Sequence, residues 1–198
     1  MLVKKMIGVD VGGYVGEFIR HLQDTGCDDI FCFEPLNPYF DVCKSFTDHS
    51  EVNIEVIKKG LYRDGEYYIT PLSDGSSIFA EGETTEKIDC ISLHTFTKEK
   101  NITHIDYLKL NCEGCEYTIL GDLIESNLSF TEIYVQFHDD DFEVGNSQDI
   151  LEPLSEKYDI YAHRRWDGDD VHWHTICEKN HSPKLYKYGN MLIEPVVS

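Results

Sequence analysis

A β-branched run, Lys5–Val11, stops at two glycines, Gly12-Gly13, and a helical pattern starts within the next residues. Val15, Phe18, Ile19 and Leu22 recur at helical spacing across Tyr14–Gln23. A strand that breaks on glycine into a helix is the opening half of a βαβ unit, and it constrains this chain more than any other feature. The rhythm then repeats. Ile30–Glu34 reads as a second strand, Tyr39–Phe46 as a second helix behind Pro38, and Val52–Ile57 as a third strand. Further on, Ile105–Leu110 and Thr131–Phe137 read as strands around a helix at Tyr117–Glu125. Ser147–Lys157 is a further helix, and Tyr158–His163 and His172–Glu178 pair as late strands. This alternation predicts an α/β fold: a mostly parallel central sheet with an antiparallel late strand and helices on both faces.

The middle of the chain interrupts the rhythm. Asp64-Gly65 predicts a hairpin between Leu61-Tyr62 and Tyr67-Tyr68-Ile69. Ser73–Thr85, rich in Ser, Gly, Thr and Glu, reads as an exposed loop, and Lys87–Leu93 as an edge strand. With 198 residues and no linker or repeat, a single domain over 1–198 is expected. The first strand has no helical lead-in, which suggests a minimal domain or one cut from a longer chain.

Charge narrows the function. Lys and Arg total 17 against 37 Asp and Glu, a net charge of −20. Such a surface repels phosphate backbones and anionic lipid, so neither nucleic acid nor membrane is an expected partner. No stretch of roughly 18 apolar residues is present, and the N-terminus lacks a signal-peptide core. The seven cysteines are odd in number and irregularly spaced, which suits free thiols in a reducing, cytoplasmic compartment. Cys112 and Cys115 form one C-x-x-C, and a zinc ribbon would need a second.

Two motifs point to a nucleotide-like ligand. Val9-Asp10-Val11-Gly12-Gly13-Tyr14-Val15-Gly16 lacks G-x-G-x-x-G in every register, which argues against a nicotinamide-dependent dehydrogenase. It spells D-x-G-x-x-x-G instead, with an acid to accept from an amino group and turn N–H groups to meet a carboxylate. In Phe31-Cys32-Phe33-Glu34-Pro35, Glu34 ends the second strand, about 20 residues on, where a carboxylate typically accepts from ribose hydroxyls.

With Lys109-Leu110-Asn111-Cys112-Glu113-Gly114-x-Glu116, these motifs make a three-part pattern that resembles the FkbM-type methyltransferases. The resemblance runs over roughly residues 7–138. It implies a Rossmann-like class I methyltransferase fold, S-adenosyl-L-methionine as cofactor, and O-methylation of a sugar or glycan hydroxyl, a deoxyhexose such as rhamnose among them, or of a related natural product. It further implies that Asp10, Gly12, Gly13, Tyr14 and Gly16 surround the methionine end, that Glu34 and Pro35 hold the ribose, and that Gly60-Leu61-Tyr62 borders the adenine. Asn111 and Glu113 would sit near the sulfonium and the acceptor, beside a serine-bearing loop at Ser76-Ser77. Asn111 stands where the family usually has Asp, and Gln136 where the fifth strand often carries Glu. An amide accepts a hydrogen bond but neither acts as a base nor satisfies a hard cation, so no metal is expected. These two amides also give the main alternative its support: a non-catalytic module that keeps the scaffold and the cofactor.

A base is needed for the acceptor proton. His138, directly after the fifth strand, is the first candidate, because an ordinary imidazole is largely neutral near pH 7. Asp139 would orient it or take the proton itself, and Glu113 is the third candidate. The run Asp139-Asp140-Asp141 reads as a solvated face, since consecutive aspartates seldom converge on one ion. Between the late strands, Trp166 and Trp173 stand among acids and arginines, a composition suited to a sugar. Trp166, Ser77 and Glu116 are the candidate acceptor contacts.

Overall fold

A computed structural model describes residues 4–48, 50–72, 75–139, 144–164, 170–184 and 192–196. Its centre is one eight-stranded sheet. The strands are β1 (Ile7–Val11), β2 (Asp29–Phe33), β3 (Asn53–Ile57), β7 (His104–Leu110), β8 (Ser129–Gln136), β9 (Tyr158–Arg164), β10 (Asp170–Glu178) and β11 (Leu192–Pro195), in the spatial order β11-β9-β10-β8-β7-β1-β2-β3. Every pair from β3 to β8 is parallel, and β10, β9 and β11 run antiparallel to their neighbours. The order reverses between β1 and β7. Their carboxyl ends therefore splay the following loops apart and open a crevice there.

Side-chain alternation sorts the two faces. Val9, Val11, Leu108, Leu110, Ile133 and Val135 point to one side and pack with α3 (Leu93–Lys100), α4 (Glu116–Glu125) and α5 (Ser147–Ser155) through Phe96, Leu120, Leu123, Leu151 and Leu154. Tyr107 and Tyr134 point to the other side and meet Phe18 and Leu22 of α1 (Glu17–Thr25). The register sets Asp10 between Cys32 and Lys109, so these three share one face of adjacent strands. The helix α2 (Tyr39–Ser45) packs on β3.

Four features depart from the sequence reading. The helix α1 starts at Glu17 rather than Tyr14, because Tyr14 (φ 47°) and Gly16 (φ 76°) are left-handed and break the helical path. The expected hairpin is absent. The strands β4 (Gly60–Tyr62) and β5 (Gly65–Ile69) flank β6 (Glu86–Ser92) in a separate three-stranded sheet, so the expected edge strand lies at its centre. Asp64 instead accepts from Ser92 N at 2.9 Å and Thr95 Oγ1 at 2.7 Å, securing the start of α3, a helix the sequence reading did not foresee. Finally, the loop after β5 folds inward: Thr70 bridges to Ser77, and Ser77 is buried.

All seven cysteines are free, and six are buried. No helix among the described residues is long and apolar enough to cross a membrane.

Candidate active site

The crevice at the carboxyl ends of β1, β2, β7 and β8 is a cavity of about 440 Å³. That is the size of an ordinary cofactor or small-ligand site. Gly12, Gly13, Tyr14, Glu34, Pro35, Gly60, Leu61, Asn111 and Glu113 all line it. Of the residues expected around the cofactor, Asp10 and Gly16 do not line the cavity.

The glycine turn is built by close approach. Gly12 has φ 80°, and a Cβ there would lie 1.9 Å from the Asn111 carbonyl oxygen. At Gly13 a Cβ would lie 2.4 Å from Cys32 Sγ. Only glycine fits either place. The turn's N–H groups, however, are not offered to a ligand carboxylate as expected. Gly12 N and Gly13 N both donate to Phe33 O at 3.1 Å, Gly16 N to Gly13 O at 2.8 Å, and Tyr14 N to Glu34 Oε2 at 3.0 Å. The turn spends these donors on stitching β1 to the end of β2.

Beneath it, Asp10 is fully buried, and its Oδ1 faces Lys109 Nζ at 3.0 Å. Burial raises the Asp10 pKa, and Lys109 offsets only part of that. Lys109 Nζ also donates to Val11 O at 3.1 Å, so the lysine ties β7 to the turn. Glu34 accepts from Leu36 N at 2.9 Å in addition to Tyr14 N, and burial raises its pKa against both bonds. Tyr14 and Tyr39 stand at the same wall with ring centroids 4.7 Å apart.

The loop after β7 makes the other wall. Glu113 is left-handed at φ 55°, a costly conformation for a non-glycine residue, and Gly114 follows at φ 104°. Ser77 Oγ donates to Glu113 O at 2.6 Å and fixes that backbone. Glu113 Oε2 lies 3.2 Å from His138 Nε2, and His138 Nδ1 bonds Glu116 Oε1. Burial alone would pull the His138 pKa down, but its bonds and charge contacts with Glu113 and Glu116 outweigh that and raise it to about 10. Glu116 Oε2 accepts from Gly114 N at 3.0 Å. Asn111 lines the cavity too, and its Oδ1 is buried with no hydrogen-bond partner among the described residues. On the third side, Gln136 and Trp173 sit directly opposite each other across β8 and β10. Trp173 stacks on Tyr134 at 4.3 Å, and Tyr134 on Phe18 at 6.2 Å.

The chain matches the FkbM methyltransferase domain over residues 10–167. It belongs to that family. Among solved structures it shares the fold of a candidate rRNA methylase from Clostridium thermocellum, at 13% identity and TM-score 0.53, covering 91% of this chain and 90% of that one. A ribosomal protein L11 methylase from Lactobacillus delbrueckii subsp. bulgaricus aligns at 12% identity and TM-score 0.42, over 89% and 70% of the two chains. No curated protein matches. Membership of the FkbM family implies S-adenosylmethionine as the usual cofactor, and the residues present fit it. The Asn111 acceptor, without a partner among the described residues, suits an amino group, Gly12 and Gly13 line the wall without side chains, and Glu34 suits ribose hydroxyls.

Within this FkbM domain several expected roles change. His138 is 5% exposed, does not line the cavity, and has both ring nitrogens against carboxylates. An imidazolium has no lone pair to take a proton, so the geometry does not suit the base role expected of it. Asp139 is held by Tyr117 OH and Ser147 N, each at 2.7 Å, and by Ser147 Oγ, so it secures the start of α5. Glu116 is fully buried beneath the loop and does not reach the cavity, so the expected acceptor contact is not made. Ser77 is likewise buried, while its neighbour Ser76 lines the wall. Trp166, Asp140 and Asp141 lie outside the described residues. Trp173, expected in a sugar-suited segment, and Gln136, expected at the family's fifth-strand acid position, both line the wall, as does Tyr39, which the sequence placed only in the second helix. Gln136 closes β8, so its strand position would have found it, whereas Trp173 lies inside β10 and reaches the wall through its register opposite Gln136. Cys112 and Cys90 also line the cavity, and burial pushes the Cys112 thiol well up and the Cys90 thiol to about 12, which disfavours the reactive thiolate.

Proposed function

We propose that this protein is an S-adenosylmethionine-dependent O-methyltransferase acting on a hydroxyl of a sugar or glycan. The observation that carries the reading is that one cavity is lined by Glu34 on the donor side and by Glu113, Gln136 and Trp173 elsewhere on its wall. The cofactor supplies a methyl group already activated on a sulfonium. Glu34 would hold the ribose, Pro35 and Leu61 would border the nucleoside, and Asn111 Oδ1 would accept from the amino group. Glu113 would take the acceptor's proton as its oxygen forms the new O–C bond, a contribution of about 10²–10⁴-fold. Alignment of the hydroxyl adds several kcal/mol.

A carbohydrate is favoured by the far wall. Trp173 is held rigid by its stack on Tyr134 and offers an apolar surface, and the Gln136 amide beside it can both donate and accept. The net charge of −20 disfavours a nucleic-acid acceptor. The reading is tested by transfer of labelled methyl to a panel of sugars and glycosides. Transfer to a sugar hydroxyl is expected. Cofactor binding without transfer to any acceptor would favour the non-catalytic module that Asn111 and Gln136 suggest. Within an active enzyme, Trp173→Ala is expected to raise acceptor KM by about 3- to 10-fold and to leave cofactor affinity unchanged. Equal loss of both would make Trp173 a packing residue only.

A further inference from the structure

We propose that His138 is a positioning residue: its imidazolium, anchored by Glu116, holds Glu113 in place as the carboxylate that meets the acceptor. This rests on the reading of Glu113 as the base, but its first half stands apart from that reading.

The geometry dictates the charge of the ring. Nε2 faces Glu113 Oε2 at 3.2 Å, and Nδ1 faces Glu116 Oε1. Carboxylate oxygens only accept hydrogen bonds, whereas a neutral imidazole has one donor and one acceptor nitrogen. A neutral ring would turn a lone pair toward a carboxylate. Two protonated nitrogens satisfy both contacts.

The anchor is rigid. Glu116 is fully buried, and its other oxygen takes Gly114 N at 3.0 Å and the Cys112 thiol at 3.5 Å. The His138 backbone N–H donates to Tyr117 OH at 3.0 Å, and that hydroxyl donates to Asp139 at 2.7 Å. Glu113, from the loop after β7, and Glu116, from α4, face the two ring nitrogens, while Tyr117 of α4 meets the His138 backbone and Asp139 meets Tyr117. Glu113 is the least fixed of them by its own contacts, and its side chain keeps 18% of its exposure. Its left-handed backbone, pinned by Ser77, brings the carboxylate to the ring. Without His138, two carboxylates would face each other in a buried site with no cation between them, which is strongly unfavourable.

The test has two arms. In the first, protein labelled with ¹⁵N-histidine is titrated without cofactor and followed by the ring nitrogens. Both His138 nitrogens are expected to remain protonated at pH 8, with a midpoint near 10. Glu116→Gln and Glu113→Gln should each lower that midpoint. A ring neutral at pH 8 overturns the proposal, and this arm decides even if His138 variants fail to fold or no acceptor is found. In the second arm, His138→Gln is expected to lower kcat by about 100-fold without changing acceptor KM or affinity for S-adenosylhomocysteine. Wild-type kcat should fall as pH rises through about 10, and the variant should lack that fall. Unchanged kcat in His138→Gln, or a wild-type rate that rises through the ordinary histidine range, overturns the proposal. Absence of any methyl transfer, with the ring still charged, would sink the proposed function and leave the buried ion triad standing.

Discussion

Glu34, just past β2, is gripped by two backbone N–H groups, whereas Glu113, past β7, is gripped by a charged ring. Both carboxylates border the same cavity. The first is held by partners that do not titrate and that belong to the sheet's own turn. The second depends on a side chain that loses its proton at high pH and on a serine from a distant loop. The donor wall is therefore rigid scaffold. On the opposite wall, Glu113 is held from behind by Ser77, Glu116 and His138, from three other segments, and its hold is expected to answer to pH.

The sharpest way to break that contrast is Glu113→Gln. Methyl transfer should fall by about 10²–10⁴-fold while affinity for S-adenosylhomocysteine stays constant, because Glu116 still holds His138 and the donor wall is untouched. Loss of cofactor binding in this variant would mean that the two walls are not separate. Gly12→Ala should do the reverse. A Cβ 1.9 Å from the Asn111 carbonyl, on a backbone at φ 80°, must displace the turn. Unfolding is expected to ease by about 1–3 kcal/mol, and S-adenosylhomocysteine binding to weaken more than acceptor binding. The smallest effect is on stability. The His138 pKa is raised from 6.5 to about 10 on folding. Its stabilisation is then complete below about pH 6.5 and fades as pH climbs through about 10. Melting temperature should fall between pH 7 and 10 in the wild type, and less steeply in His138→Gln. Parallel curves would remove His138 from the account.

The contrast also explains what could be read from the chain alone. The donor wall is local: strand, glycine turn and Glu34 follow one another within β1 to β2, and Gly12, Gly13 and Glu34 line the cavity, whereas Asp10 lies buried beneath it on Lys109 and does not line it. The other wall is made by contacts distant in sequence. Nothing in the residues near His138 shows that Glu113 and Glu116 flank its ring, so an ordinary imidazole was the natural expectation. The hairpin failed for the same reason. Asp64-Gly65 has turn chemistry, but pairing is decided by β6 entering between β4 and β5. The helix α3 escaped notice because LHTFTKEK is short and carries two threonines, and its start depends on Asp64 from far upstream.

The central claim is that the glycine turn and Glu34 form the seat of an adenosyl amino acid. Calorimetric titration with S-adenosylhomocysteine, on wild type and on Glu34→Ala, tests it most directly. One-to-one binding is expected, weakened by about 10- to 100-fold in the variant through loss of charge-assisted hydrogen bonds. Absence of binding to the wild type, or equal affinity in the two proteins, would contradict the account.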